Sequence, residues 1–199
     1  LEKGPYDPNA FLAAFPRLSL ETGMTLDFVY DYQGTGGHPI VYARGKDQVP
    51  FSSLAEYKKK FPRPYFLGDS ARYNPSYLEA IKTDGTSDGF LQLALHVLLA
   101  EQFYIHWHAV YSVNWPVFDQ QMVEDIKASL PVQVQKQVDA LVLKPEATLN
   151  QDEARVTYVY FNSWKGFVRV TWRVDRAFPH RFRGVDEHIL IAYRNPVRF

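Results

Sequence analysis

The chain has 199 residues, no cysteine and a formal net charge of zero. Its length suits one domain, residues 1–199, able to bury about 70% of the surface of the unfolded chain. The missing cysteines exclude disulfides, thiol nucleophiles and Cys-ligated metal centres; the neutral balance argues against a nucleic-acid partner, which asks for a markedly basic domain.

The chain opens on Leu1 rather than Met, which fits removal of an upstream segment and leaves the compartment open. Pro8 to Phe15 predicts a short helix ending before Pro16. Met24 to Tyr32 alternates: Met24, Leu26, Phe28, Tyr30 and Tyr32 share one face, Thr25, Asp27, Val29 and Asp31 the other. That is the period of a half-buried strand. The glycines of Gln33-Gly34-Thr35-Gly36-Gly37 suit a tight turn, and His38 to Ala43 is the returning strand. Because these glycines lie between two strands, they do not form a phosphate loop, which leads into a helix.

Ser53 and Glu56 make a capping box for a helix to Lys60, with Lys58-Lys59-Lys60 at its carboxyl end. Asn74-Pro75 predicts another helix to about Lys82, closed by Asp84-Gly85.

Asp88 to Asp119 is the richest stretch, holding three of the six histidines and the longest apolar run. His96 and Glu101 interrupt that run well short of the about 20 apolar residues of a membrane helix. Leu91 to Leu99 fits a helix by its Leu and Ala content and a buried strand by its length. Tyr104 to Val113 is rich in aromatic and β-branched residues, which favours strand. If both are strands of one hairpin, His96 faces His106 and Ala94 faces His108. That register puts Leu91, Leu93, Leu95, Val97 and Leu99 on one side, and Gln92, His96, Tyr104, His106 and His108 on the other. A one-residue slip would scramble the sorting, so the hairpin is the preferred reading.

Asp119 to Leu130 and Val132 to Leu143 predict two helices around Pro131, and Lys144 to Asp152 a loop. Ala154 to Phe161 and Phe167 to Asp175 form a second hairpin. One face carries Val156, Tyr158, Tyr160, Val168, Val170, Trp172 and Val174. The other carries Arg155, Thr157, Arg169, Thr171 and Arg173, with Arg155 opposite Arg173 and Glu153 opposite Asp175. Glu187 to Tyr193 supplies a last strand after a basic loop, Pro179 to Gly184. From Arg155 onward there are nine basic and three acidic residues, and before it thirteen and nineteen. The halves are thus +6 and −6, able to attract one another or to set a basic patch before an anionic ligand.

These elements predict a soluble α+β domain: about seven mostly antiparallel strands, built from hairpins and covered by about four helices. Its chemistry centres on two sets. His96, His106 and His108 on one sheet face would offer three nitrogens to zinc, whose bound water attacks carbonyl or phosphoryl centres. Asp27 and Asp31 are candidates for the carboxylate such a site needs. Arg155, Arg169 and Arg173 are spaced for bidentate capture of carboxylate or phosphate. There is no Gly-x-Ser-x-Gly elbow and no His-Glu-x-x-His helix. The leading expectation is a module binding a small polar or anionic molecule in a sheet cavity, without cofactor, through Tyr104, His106, His108 and the arginines. A three-histidine zinc hydrolase and an interaction domain with no small-molecule site stand as alternatives.

Overall fold

The computed structural model describes residues 6–32, 34, 36–61, 77, 80–100 and 102–196. Helix α1 (Pro8–Ala13) begins at Asp7, whose carboxylate accepts the Asn9 N–H at 2.8 Å. Pro8 sits at the first helical position, where no N–H donor is needed. Strand β1 (Leu18–Leu20) leads into β2 (Met24–Tyr32), which pairs antiparallel with β3 (Gly36–Gly45) from Met24 opposite Gly45 to Tyr32 opposite Gly37. This hairpin is buried on both faces. Leu26, Phe28, Val41 and Ala43 enter the main core, while Val29, Ile40 and Tyr42 pack on Tyr57 of α2 (Leu54–Lys60). Ser53 Oγ caps α2 through the Glu56 N–H at 3.2 Å, but the Glu56 carboxylate returns to Ser52 rather than Ser53, accepting its N–H and Oγ–H at 2.8 Å.

Most of the helix predicted from Asn74 lies outside the described residues, and its end is corrected. Ile81–Thr83 is strand β4, paired antiparallel with β1. Ile81 is buried in the core while Lys82 and Thr83 are half-buried, so cross-strand pairing takes over the backbone groups a helix would have used.

The central hairpin is not formed. Its first arm lies within helix α3 (Ser87–Ala100), on which Phe90, Leu93, Ala94, Val97, Leu98 and Ala100 are all buried. Thr86 caps it, its carbonyl accepting from Phe90 N and its hydroxyl from Gly89 N at 3.1 Å. Gly89 is required by space: a Cβ there would lie 2.3 Å from Asp84 Oδ1. The second arm is split. Only β5 (His106–Trp107) is strand, pairing with Gly37 and Gly36 on the edge of β3. A 3-10 turn over His108–Ser112 then hands the chain to β6 (Asn114–Val117), which pairs with a different sheet.

Helices α4 (Gln120–Lys127) and α5 (Val132–Val138) lie on either side of Pro131 as predicted but end short of Leu130 and Leu143; α4 is capped by Asp119 accepting from Met122 N at 2.9 Å. The predicted loop after them contains strand β7 (Glu146–Leu149), because Ala147 and Leu149 turn inward against the core in strand alternation. Strands β8 (Glu153–Asn162) and β9 (Gly166–Asp175) pair in the predicted register, with Arg155 opposite Arg173 and Glu153 opposite Asp175. Strand β10 (Phe182–Ala192) starts earlier than expected and runs along β9.

The fold is α+β with antiparallel sheets, but among the described residues the expected single seven-stranded sheet is replaced by three, of two, three and five strands. The five-stranded sheet runs β10-β9-β8-β6, with β7 also on β8. Its inner face, Val156, Tyr158, Tyr160, Val168, Val170, Trp172 and Val174, shares one core with α3 and the β2–β3 hairpin. On its outer face Val159, Phe161 and Phe167 are covered by Val123, Leu130 and Val138 of the α4–α5 region. Arg155, Thr157, Arg169, Thr171 and Arg173 occupy the rest of that outer face.

Candidate ligand site in a tyrosine cluster

The site is built where the chain leaves α3. The Gln102 side chain clamps the start of β6, donating to Asn114 O at 3.0 Å and accepting from Asn114 N at 2.6 Å. That clamp holds residues 103–106 against the β2–β3 hairpin. Phe103 anchors in the core, edge-on to Phe28 at 5.6 Å and stacked with Phe11 at 5.9 Å between ring centres. Tyr104 lies 4.9 Å from the ring of Tyr30, and Tyr6 stacks on Tyr104 at 4.2 Å with a 21° interplanar angle. His106 follows on β5, its ring 6.1 Å from that of Tyr32.

Strand alternation explains why these groups meet. Tyr30 and Tyr32 continue the core face of β2 past the end of the aliphatic packing, so they project beside the residues leaving α3. Gly37 makes room for this, since a Cβ there would lie 2.5 Å from Tyr30 Cε1. Tyr6 is 43% and Tyr32 50% exposed, so the cluster opens to solvent, while Tyr30, Tyr104 and His106 are half-buried. The Tyr32 hydroxyl donates to Gly34 O at 2.9 Å. The Tyr30 hydroxyl is enclosed and has no hydrogen-bond partner among the described residues. Burial pushes it up to about 12, with smaller contributions from Tyr104, Tyr32 and Tyr6. At neutral pH it is a protonated phenol, able to donate and to accept.

The expected site residues separate into groups. Tyr104 and His106 lie in the cluster. His108 opens the 3-10 turn, so strand alternation no longer carries it onto the face of His106. His96 is on α3, 1% exposed, with Nδ1 2.6 Å from the Tyr77 hydroxyl and its ring against Phe11 and Phe15. The three histidines therefore do not converge, and among the described residues no three His, Asp or Glu side chains are grouped to hold a metal ion. Asp27 pairs with Arg44 at 3.2 Å and Asp31 lies 3.8 Å from Lys58, both on the α2 side of the hairpin, away from the tyrosines.

The arginines form their own stripe on the outer face of the other sheet, facing away from the shared core. Arg155 meets Glu153 at 2.7 Å, Arg173 lies 3.7 Å from Asp186, and Arg183 meets Asp175 at 2.7 Å. Arg169 is exposed between Val159 and His188. Carboxylates thus lie beside Arg155, Arg173 and Arg183, while Arg169 is exposed and the segment keeps its net positive charge. Comparison with known family models, curated proteins and solved structures finds no match.

Sequence reasoning placed Tyr30 and Tyr32 on one strand face but assigned them no role. The available signal was aromatic crowding at the solvent end of β2. Nothing in the sequence marked Tyr6, which reaches the cluster only through the placement of α1.

Proposed function

We propose that this protein is a binding module for a small polar molecule held in the tyrosine cluster, with Tyr104 and His106 on its walls and Tyr30 as the polar contact. The observation that carries this reading is the enclosed Tyr30 hydroxyl, which lacks a partner among the described residues beside rings that are partly open to solvent. An unsatisfied buried hydroxyl costs about 1–3 kcal/mol, which a ligand atom bonded to it would recover. Rings supply wall area at little entropic cost, and one or two polar groups set orientation. Carboxylates already beside Arg155 and Arg173 favour a ligand recognised here over an anion captured there. A metal-dependent hydrolase has no comparable support, because His96 packs in the core and not beside His106.

A thermal-shift screen of small polar compounds tests the reading. A true ligand at about 100 times its Kd stabilises the fold by about 2.7 kcal/mol. Measured against each variant's own ligand-free melting point, the shift should shrink in Tyr30→Phe and vanish in Tyr104→Ala. If no compound stabilises the protein, or the shifts survive both substitutions, an interaction domain becomes the better description.

A further inference from the structure

Resting on that reading, we propose that Tyr6 is a built-in stand-in for the ligand, and that the site takes an uncharged planar ring bearing one hydrogen-bonding group, which displaces Tyr6 from the face of Tyr104. The first support is geometric. Tyr6 meets Tyr104 at 4.2 Å and 21°, a near-parallel stack, whereas Tyr30 meets Tyr104 at 45°. The ring is already placed as a flat ligand on a tyrosine wall would be.

The second is what Tyr6 touches among the described residues. It precedes α1, is 43% exposed, and contacts Tyr104 and Phe103 by ring packing, the latter at 6.0 Å. Replacing one ring by another on Tyr104 exchanges like for like, so little stacking is lost when Tyr6 leaves.

The third is what Tyr6 fails to do. With Tyr6 in place the Tyr30 hydroxyl still has no hydrogen-bond partner among the described residues. Tyr6 fills the stack and leaves the polar contact unmade; a ring whose polar edge reaches Tyr30 does both. Packing then narrows the class. Among the described residues the rings packed on Tyr104 are the phenols of Tyr6 and Tyr30, with the His106 ring beside Tyr32. An anion would meet phenol oxygens and ring faces, and among the described cluster residues its compensating cation would have to be a protonated His106. A cation could lie over the rings, but no carboxylate is placed to neutralise it, and the group now on Tyr104 is a neutral ring.

The test uses p-cresol, the free tyrosine side-chain ring, against tetramethylammonium and benzoate. Titrations are followed by NMR of tyrosine-labelled protein in wild type, Tyr6→Ala, Tyr6→Leu, and Tyr6→Ala combined with Tyr30→Phe or Tyr104→Leu. Far-UV circular dichroism checks the folding of each variant. Removing the stand-in should tighten p-cresol binding about 2- to 12-fold, the reverse of what deleting a wall residue does. Tyr30→Phe should then weaken it about 5- to 10-fold, and Tyr104→Leu should abolish it. The charged probes should give no saturable shift. Unchanged or weaker p-cresol binding in Tyr6→Ala makes Tyr6 a wall and overturns the inference while the site stands. Preferential saturation of the same resonances by tetramethylammonium or benzoate overturns the ligand class alone. If no probe moves any cluster resonance even without Tyr6, both the inference and the small-molecule reading fall.

Discussion

The buried histidines give this protein a pH signature at the scale of single residues. His180 is 4% exposed; its Nε2 accepts the Thr83 N–H at 3.3 Å, which leaves Nδ1–H to donate to Asp175 O at 3.1 Å. Burial lowers its pKa, against a smaller opposing effect of Asp175, and burial also lowers His38. His96 is pushed down to about 3 by burial alone. All three are harder to protonate in the fold than in the unfolded chain, where each takes a proton near pH 6.5. The unfolded state therefore binds more protons below that pH. The stability these groups contribute is complete above about pH 6.5 and declines as pH falls, continuing toward the folded-state value of His96. Urea midpoints measured from pH 8 to 5 should drop steadily below 6.5. His180→Gln should flatten part of that slope while costing about 1–2 kcal/mol at pH 8. A midpoint constant from pH 7.5 to 5 would contradict neutral burial.

Elements differ in how far their residues announced them. The β2–β3 and β8–β9 hairpins were legible because Gly-containing turns separate runs that alternate in polarity, and the β8–β9 register followed from that alternation alone. Gly166 ends the second turn at φ +92, and a Cβ there would lie 2.1 Å from Ile191 O, where β10 passes. Gly166→Ala should cost about 2–3 kcal/mol, from an unfavourable φ and displacement of the β10 backbone. Chemical denaturation reads the loss, and hydrogen exchange should show it concentrated at Ile191 and Ala192. Helix α3 was misread for a specific reason. Within Leu91–Leu99 the apparent sorting of polar from apolar residues rested on Gln92 and His96. Residues four apart share a face in both a helix and a strand, so that spacing could not choose between them. A helix buried on most sides shows an apolar run without a polar stripe. The overlooked clue was Thr86 with Asp88 behind it, a capping residue followed by acid in the first helical turn.

For the molecule as a whole, the main core is common property. Trp172, 1% exposed, donates its Nε1–H to the Tyr158 hydroxyl at 3.0 Å, within the cluster that holds α3 and the β2–β3 hairpin together. Trp172→Ala should cost about 3–5 kcal/mol. Because both larger sheets use this core, circular dichroism and tyrosine fluorescence should lose structure together in one transition. Two separated transitions would show the sheets to be independent. The same sharing places the candidate site, since residues 102–117 cross from the edge of one sheet to the edge of the other, and Tyr104 and His106 lie on that crossing.

By itself the sequence determined the class of fold, the β2–β3 and β8–β9 hairpins, the Ser53 cap, and the arginine stripe with its facing carboxylates. Those depend on residues close in the chain, where side-chain period and backbone preference act directly. Only the tertiary structure decided that the central apolar run is a helix, that the strands divide into three sheets, and that Tyr6, Tyr30 and Tyr104 meet. Each of those outcomes turns on which buried surface is available from elsewhere in the chain. A run apolar on every side accepts either geometry until its neighbours are in place.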